Sequence, residues 1–426
     1  MIRLHLPAPV PPGQTVAVHL VYTDTWPYAV FGGGTSLGVT SGMQRFLPTV
    51  APQRLGSPWR YTARLAVPAA GKAVGAISGR TLRTFDEGGW HVVEVDSEDH
   101  VAWFPAVAVG KFVTVEDPAQ LGFPAIHTHL SSTHFGSIEQ FGPEVRRVVQ
   151  FYQGWLPPYP VSEVEIFEAP QGLGGGRWIA PHGMVNVQQF LVSGSVQDPS
   201  AGSNLRDDRP HLENAILAHE LAHQYWGHLA PPASLEDFWI AESLSELYAC
   251  MYVAAAFDAR DCEVRLAAKR DRWERSDAPH TVASLTRAYE GGYRAPIVYD
   301  YGPYLLGEVI ERRIGREAFF GALDLLLRDH PYEPLTTERL LAYLAAASGG
   351  PLDDRFAYSV YGGWVPALSL DWTTRGRDVT GTIAADVPFG TFDVPVRLRT
   401  KDGAVDVRVT VRDGVGTLAA SAPPGK

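Results

Sequence analysis

Two cysteines in 426 residues, Cys250 and Cys262, are too few for a disulfide framework to be what stabilises the chain, and they leave its redox compartment open. Long apolar runs are also missing. The longest, around Val101 to Val109 and Leu247 to Phe257, fall short of the roughly 18 residues that a membrane-spanning helix needs. Basic residues are outnumbered, 36 Lys and Arg against 47 Asp and Glu. The formal charge of −11 argues against a partnership with nucleic acid, which needs clustered cations to displace counterions. The first residues, Met1-Ile-Arg-Leu-His-Leu-Pro, lack the basic, then apolar, then small-residue order of a secretory signal. A soluble chain is expected, with the compartment open between the cytoplasm and the soluble part of a larger anchored protein.

What is present is the balance of a folded protein: 45% hydrophobic and 19% charged residues. The length exceeds what one core organises, so two or three domains are expected. Up to about Phe112 the chain reads as short alternating runs, such as Val16-Ala-Val-His-Leu-Val-Tyr and Trp59-Arg-Tyr-Thr-Ala-Arg-Leu-Ala-Val, broken by Pro and Gly. Ile138 to Phe151 predicts a helix, and Val164-Glu-Ile-Phe and Gly183-Met-Val-Asn-Val predict strands. From Leu212 to Ala347 the apolar spacing changes to three and four, with Gly227, Gly315 and Gly349 as stops, so helices are expected. After Trp364 alternation returns. The expectation is a multidomain α+β chain: a β-rich domain over residues 1–122, a mixed and then helical domain over 123–365, and a small β-module over 366–426.

One segment carries chemistry: Ala215-Ile-Leu-Ala-His219-Glu220-Leu-Ala-His223-Gln-Tyr-Trp-Gly227, an HExxH sequence inside a predicted helix. Residues four apart share a helix face, so His219 and His223 can offer two imidazoles to one ion while Glu220 stands at its edge. A catalytic zinc takes three protein ligands and leaves a position for water, so a third ligand is sought nearby. Glu242, 19 residues past His223 on the next predicted helix, is the candidate.

These residues make the chain resemble the aminopeptidase N family of zinc peptidases, thermolysin-related gluzincins that also include the leukotriene epoxide hydrolase. In that family HExxH is followed by a WLxEGxxE-like segment, here Trp239-Ile-Ala-Glu242-Ser-Leu-Ser-Glu246, whose first Glu is the third ligand. The resemblance implies a thermolysin-like catalytic domain, one catalytic Zn2+ held by His219, His223 and Glu242, Glu220 as general base, and a peptide substrate. It also leaves Glu246 either to orient a ligand histidine or to stand as a surface carboxylate. Val298-Tyr299-Asp-Tyr301-Gly302 resembles the family's YxxG segment, which assigns transition-state stabilisation to Tyr299, with Tyr301 as the alternative. The β-domain is expected to be short against the family's.

One departure concerns specificity. Relatives that remove N-terminal residues carry a GxMEN strand whose Glu binds the free amine, and Ala180 occupies that position here. An endopeptidase, or a peptidase with a relaxed N-terminal requirement, therefore stays open, as does a non-catalytic peptidase-fold scaffold. His127 and His129, with His134 nearby, have a spacing that suits a second metal. No acidic or Cys residue accompanies them, so ordinary polar histidines are expected. Gly172-Leu-Gly-Gly-Gly176 predicts a loop bordering the cleft, and Cys250 a packed thiol.

Overall fold

The computed structural model describes residues 30–31, 35–36, 38–41, 60–71, 73–98, 106–131, 138–169, 180–188, 211–276, 296–350, 359–361, 367–386, 390–400 and 403–421. The Val16 to Tyr22 run, His134 and the loop from Gly172 to Gly176 lie outside them. The chain divides into two compact units: Met1–Ala233 with Ala255–Phe257 and His330–Pro334, and Ser234–Ala254 with Asp258–Asp329 and Leu335–Lys426.

The first unit opens with the expected strands. Gly38–Ser41, Ala106–Gly110 and Val74–Ile77 form one antiparallel sheet, and Thr62–Pro68, Trp90–Asp96 and Arg80–Glu87 another. A four-stranded sheet follows, in the order Met184–Gln188, Glu163–Ala169, Ala125–Ser131, Phe112–Asp117. Its first three strands are parallel and the last is antiparallel. A parallel pair needs a crossover, and helix Ile138–Gln153 supplies it.

Alternation sorts this sheet's residues. Ile126, Leu130, Val164, Ile166, Val185 and Val187 turn to one face and are fully buried, as are Val145, Val148, Val149 and Tyr152 of the crossover helix. On the other face Phe167 and Met184 pack with Ala76, Ala106 and Ala108 of the preceding sheet, with Phe112 against them. The HExxH helix, Leu212–Ala222, packs against the crossover helix and strand Met184–Gln188. Two tyrosines fix it: the hydroxyl of Tyr152 donates to the Ala218 carbonyl at 2.6 Å, and that of Tyr159 to Leu221 at 3.0 Å.

The second unit is built on helix Phe238–Ala256, buried along most of its length. Asp237, just before it, accepts from the backbone N–H and hydroxyl of Thr337 at 2.7 and 2.9 Å, which anchors helix Thr337–Ala347 beside it. Cys250 is not the free packed thiol expected. It is joined to Cys262 in a disulfide, because the turn at 257–260 brings the start of helix Asp261–Glu274 back to within 4.8 Å, Cα to Cα. A five-stranded antiparallel sheet, residues 367–421, closes the chain around Val379, Ile383, Phe392, Val409, Val411 and Leu418. None of the helices among the described residues is long and apolar enough to cross a membrane.

The segment 296–314 is a helix with two π-type stretches, Pro296–Tyr301 and Leu305–Glu311. Its contact with helix Phe238–Ala256 explains Gly302. A Cβ there would stand 1.9 Å from the Oγ of Ser243, whose hydroxyl donates to the Val298 carbonyl at 2.8 Å. Only hydrogen fits between the helices. Gly302→Ala is expected to cost about 1–3 kcal/mol or more, read from the denaturation midpoint, as overpacking does. Gly321, whose Cβ would meet nothing within 4 Å in helix Arg316–Asp329, is the control. Its substitution by Ala should be neutral or stabilising by about 0.5–1 kcal/mol.

Candidate metal centre

His219 and His223 lie one helical turn apart, both buried, with their rings perpendicular and their Nε2 atoms 3.0 Å from each other. His223 Nδ1 lies 3.0 Å from the Trp226 carbonyl, which can only accept, so Nδ1 carries the proton and Nε2 keeps its lone pair. Two imidazole nitrogens on a tetrahedral zinc at 2.0–2.1 Å stand about 3.3 Å apart. The pair is therefore within a few tenths of an ångström of what zinc asks. Glu242, the third ligand expected, is buried on helix Phe238–Ala256 of the second unit. Two imidazoles and a carboxylate are the chemistry of a catalytic zinc site with a position left for water. Glu220, on the same helix beside His219, is 5% exposed.

The turn after His223 does a second job that sequence spacing did not announce. Gln224, fully buried, accepts from the Gly183 N–H and donates to the Pro181 carbonyl, both at 2.9 Å. His228 Nε2 donates to the Ala180 carbonyl at 2.9 Å. Burial, with the neighbouring His182 and His223, pushes the His228 imidazole well below its ordinary range, so it stays neutral and can serve as a fixed donor. The segment at 180–183 is thus fastened through its backbone to the turn that follows the HExxH helix.

On the helices of the second unit, Glu246 forms an ion pair with Lys269 at 2.7 Å, and Lys269 also donates to the Tyr299 carbonyl at 2.8 Å. Tyr301 stacks on Trp273 with ring centroids 4.3 Å apart, and its hydroxyl donates to the Ser359 carbonyl at 3.1 Å. Tyr299, three residues before Gly302, is half-buried.

The histidines read as lacking an acidic partner have one. Strands Ala125–Ser131 and Glu163–Ala169 pair in parallel with His127 opposite Glu165, whose carboxylate meets His127 Nδ1 at 2.9 Å and His129 Nε2 at 2.7 Å. The bond to Glu165 lifts His127 to about 9 against the pull of burial. Burial alone would raise Glu165, but the two histidines outweigh it and hold the carboxyl at about 2.

Residues 189–358 match the Peptidase family M1 domain. Aminopeptidase N of Lactococcus lactis subsp. cremoris is 30% identical over 217 residues, covering 48% of this chain and 24% of the relative. Aminopeptidase M1-C of Oryza sativa subsp. japonica is 22% identical over 264 residues, covering 58% and 28%. The chain thus spans about a quarter of the length of these relatives. Among solved structures, Legionella pneumophila aminopeptidase A in complex with aspartic acid superposes with a TM-score of 0.67 at 13% identity, covering 87% of this chain and 43% of that one. An M1 zinc metallopeptidase variant from Deinococcus radiodurans superposes with a TM-score of 0.61 at 19% identity, covering 78% and 71%. Both share the multidomain α+β fold. The HExxH helix lies inside the segment that matches the M1 domain, so the similarity to these zinc metallopeptidases covers the candidate metal centre itself.

Proposed function

We propose that this chain is a zinc-dependent, aminopeptidase-like hydrolase that cleaves peptide bonds with an activated water. The observation that carries the reading is the buried pair of imidazoles, His219 and His223, one turn apart with Nε2 atoms 3.0 Å from each other and Glu220 beside them. His219, His223 and Glu242 are the ligands in this reading. When bound there, zinc supplies a Lewis acid and lowers the pKa of water toward about 7.

The chain's own residues do the rest. Glu220 takes the proton of the attacking water and delivers it to the leaving amine nitrogen. The Tyr299 hydroxyl donates a hydrogen bond to the substrate oxygen as negative charge develops there. The fastened strand at 184–188 offers backbone groups to an extended peptide. Ala180 brings no carboxylate to an N-terminal ammonium, so in this reading the amine contact falls to another acidic group.

The test is metal content and peptide cleavage measured together. Protein saturated with zinc is expected to release N-terminal residues from short peptides, to stop when a chelator removes the metal, and to resume when zinc is restored. Glu242→Ala should lose zinc on dialysis that the parent withstands. If the parent holds no metal, and zinc neither binds nor induces cleavage, the peptidase reading is wrong. Running free and N-acetylated forms of one peptide side by side reports whether an amine contact exists.

A further inference from the structure

Outside the HExxH region, a second group of described residues has the makings of a metal site: His127, Glu163 and Glu165 each offer a donor atom, all within 4.8 Å of one another. They come from two adjacent parallel strands whose register sets His127 opposite Glu165, with Glu163 two residues back on the same face. Sheet strands hold such positions rigidly. Each carboxylate is also aimed by a neighbour. Glu165 Oε2 meets His129 Nε2 at 2.7 Å, and His129 Nδ1 lies 2.8 Å from the Thr114 hydroxyl. Glu163 Oε2 accepts the Thr81 N–H at 2.8 Å.

A hydrogen-bonded pair would account for His127 and Glu165 alone. Glu163 brings a second, half-buried carboxylate up to the same histidine, and exposed Glu116 is placed opposite His127 on the other neighbouring strand. The imidazolium of His127 already stands among these carboxylates, and a divalent ion would take the place of its proton. Arg80, near Glu163, has its guanidinium on Asp96 at 2.9 Å. One imidazole and two carboxylates are an N/O donor set suited to Zn2+, Co2+ or Mn2+. Buried Glu165 forms the floor, while half-exposed His127 and Glu163 leave a side open to water and to entry of the ion.

We propose that His127, Glu163 and Glu165 bind a second divalent transition-metal ion, with His129 as the residue that positions Glu165. The ion cross-links two strands of the sheet and takes no part in hydrolysis. The experiment is ion counting on the full chain after equilibrium dialysis against zinc, with a thermal melt of each protein as a folding check. The parent is expected to hold two ions, and Glu163→Gln and His127→Gln one each with peptide cleavage retained. His219→Ala should also hold one, so the count at the sheet survives even if the peptidase reading fails. Anomalous diffraction from zinc-soaked crystals of the parent gives a second readout that needs no variant: a peak about 2.0–2.2 Å from a His127 nitrogen and the Glu163 carboxylate. A single ion that His219→Ala abolishes, a Glu163→Gln protein that binds as many ions as the parent, or a map without that peak would each overturn the site.

Discussion

Glu220→Gln is expected to keep its zinc and to lose peptide hydrolysis by about 10²–10⁴-fold, the range that a positioned general base contributes. The two properties separate because the substitution is nearly isosteric and because Glu220 is proposed as a base and not as a ligand. The carboxylate is 5% exposed, beside His219 on a helix fixed by hydrogen bonds to Ala218 and Leu221. A larger change in shape would disturb that packing, whereas an amide fills the same space. The amide cannot accept a proton from water or return one to the leaving nitrogen, so only proton transfer is removed. Zinc per chain, measured alongside kcat, decides the matter. A zinc-loaded Glu220→Gln protein that turns over within threefold of the parent would take Glu220 out of the mechanism. Loss of zinc in the same variant would instead mean that Glu220 supports the ligand set.

The HExxH helix was legible because its evidence is local: two histidines at a four-residue spacing, in a run whose apolar residues keep helical period, ending before a glycine at φ 137°. The strands and helices of the core were legible for the same reason. What escaped depends on groups brought together from far along the chain. Glu165 follows His127 by 38 residues, and nothing in either neighbourhood says that a parallel crossover will set them side by side. Lys269 and Glu246 lie on successive helices whose crossing no periodicity encodes. The disulfide needed the short turn at 257–260 to reverse the chain. Gly302 was legible as a motif glycine, but its physical reason is the 1.9 Å to Ser243, which exists only once the two helices have packed. Gln224 reads as an ordinary polar residue until both ends of its amide are found on the backbone at 181 and 183.

Tyr299→Phe is expected to lower kcat by about 10²–10³-fold with stability and zinc content unchanged, the effect of deleting one donor to a developing oxyanion. The backbone around Tyr299 is held in place. The Val298 carbonyl is held by Ser243, the Tyr299 carbonyl by Lys269, and Gly302 lets this helix press against the helix that carries Glu242. The segment is therefore set before substrate arrives, which is the condition for a hydroxyl to act without reorganisation. The competing tyrosine is otherwise engaged. Tyr301 is stacked on Trp273, and its hydroxyl is committed to the Ser359 carbonyl. Tyr301→Phe should therefore cost stability, about 0.5–1.5 kcal/mol for one hydrogen bond, and change kcat less than tenfold. The assay is kcat and KM for one peptide on the two variants, with melting curves of both. An oxyanion donor acts mainly in the transition state, so Tyr299→Phe should move kcat and leave KM close to the parent's. If Tyr301→Phe is the more damaging to kcat, with Tyr299→Phe near the parent, the role passes to Tyr301 and its bond to Ser359 must open when substrate binds.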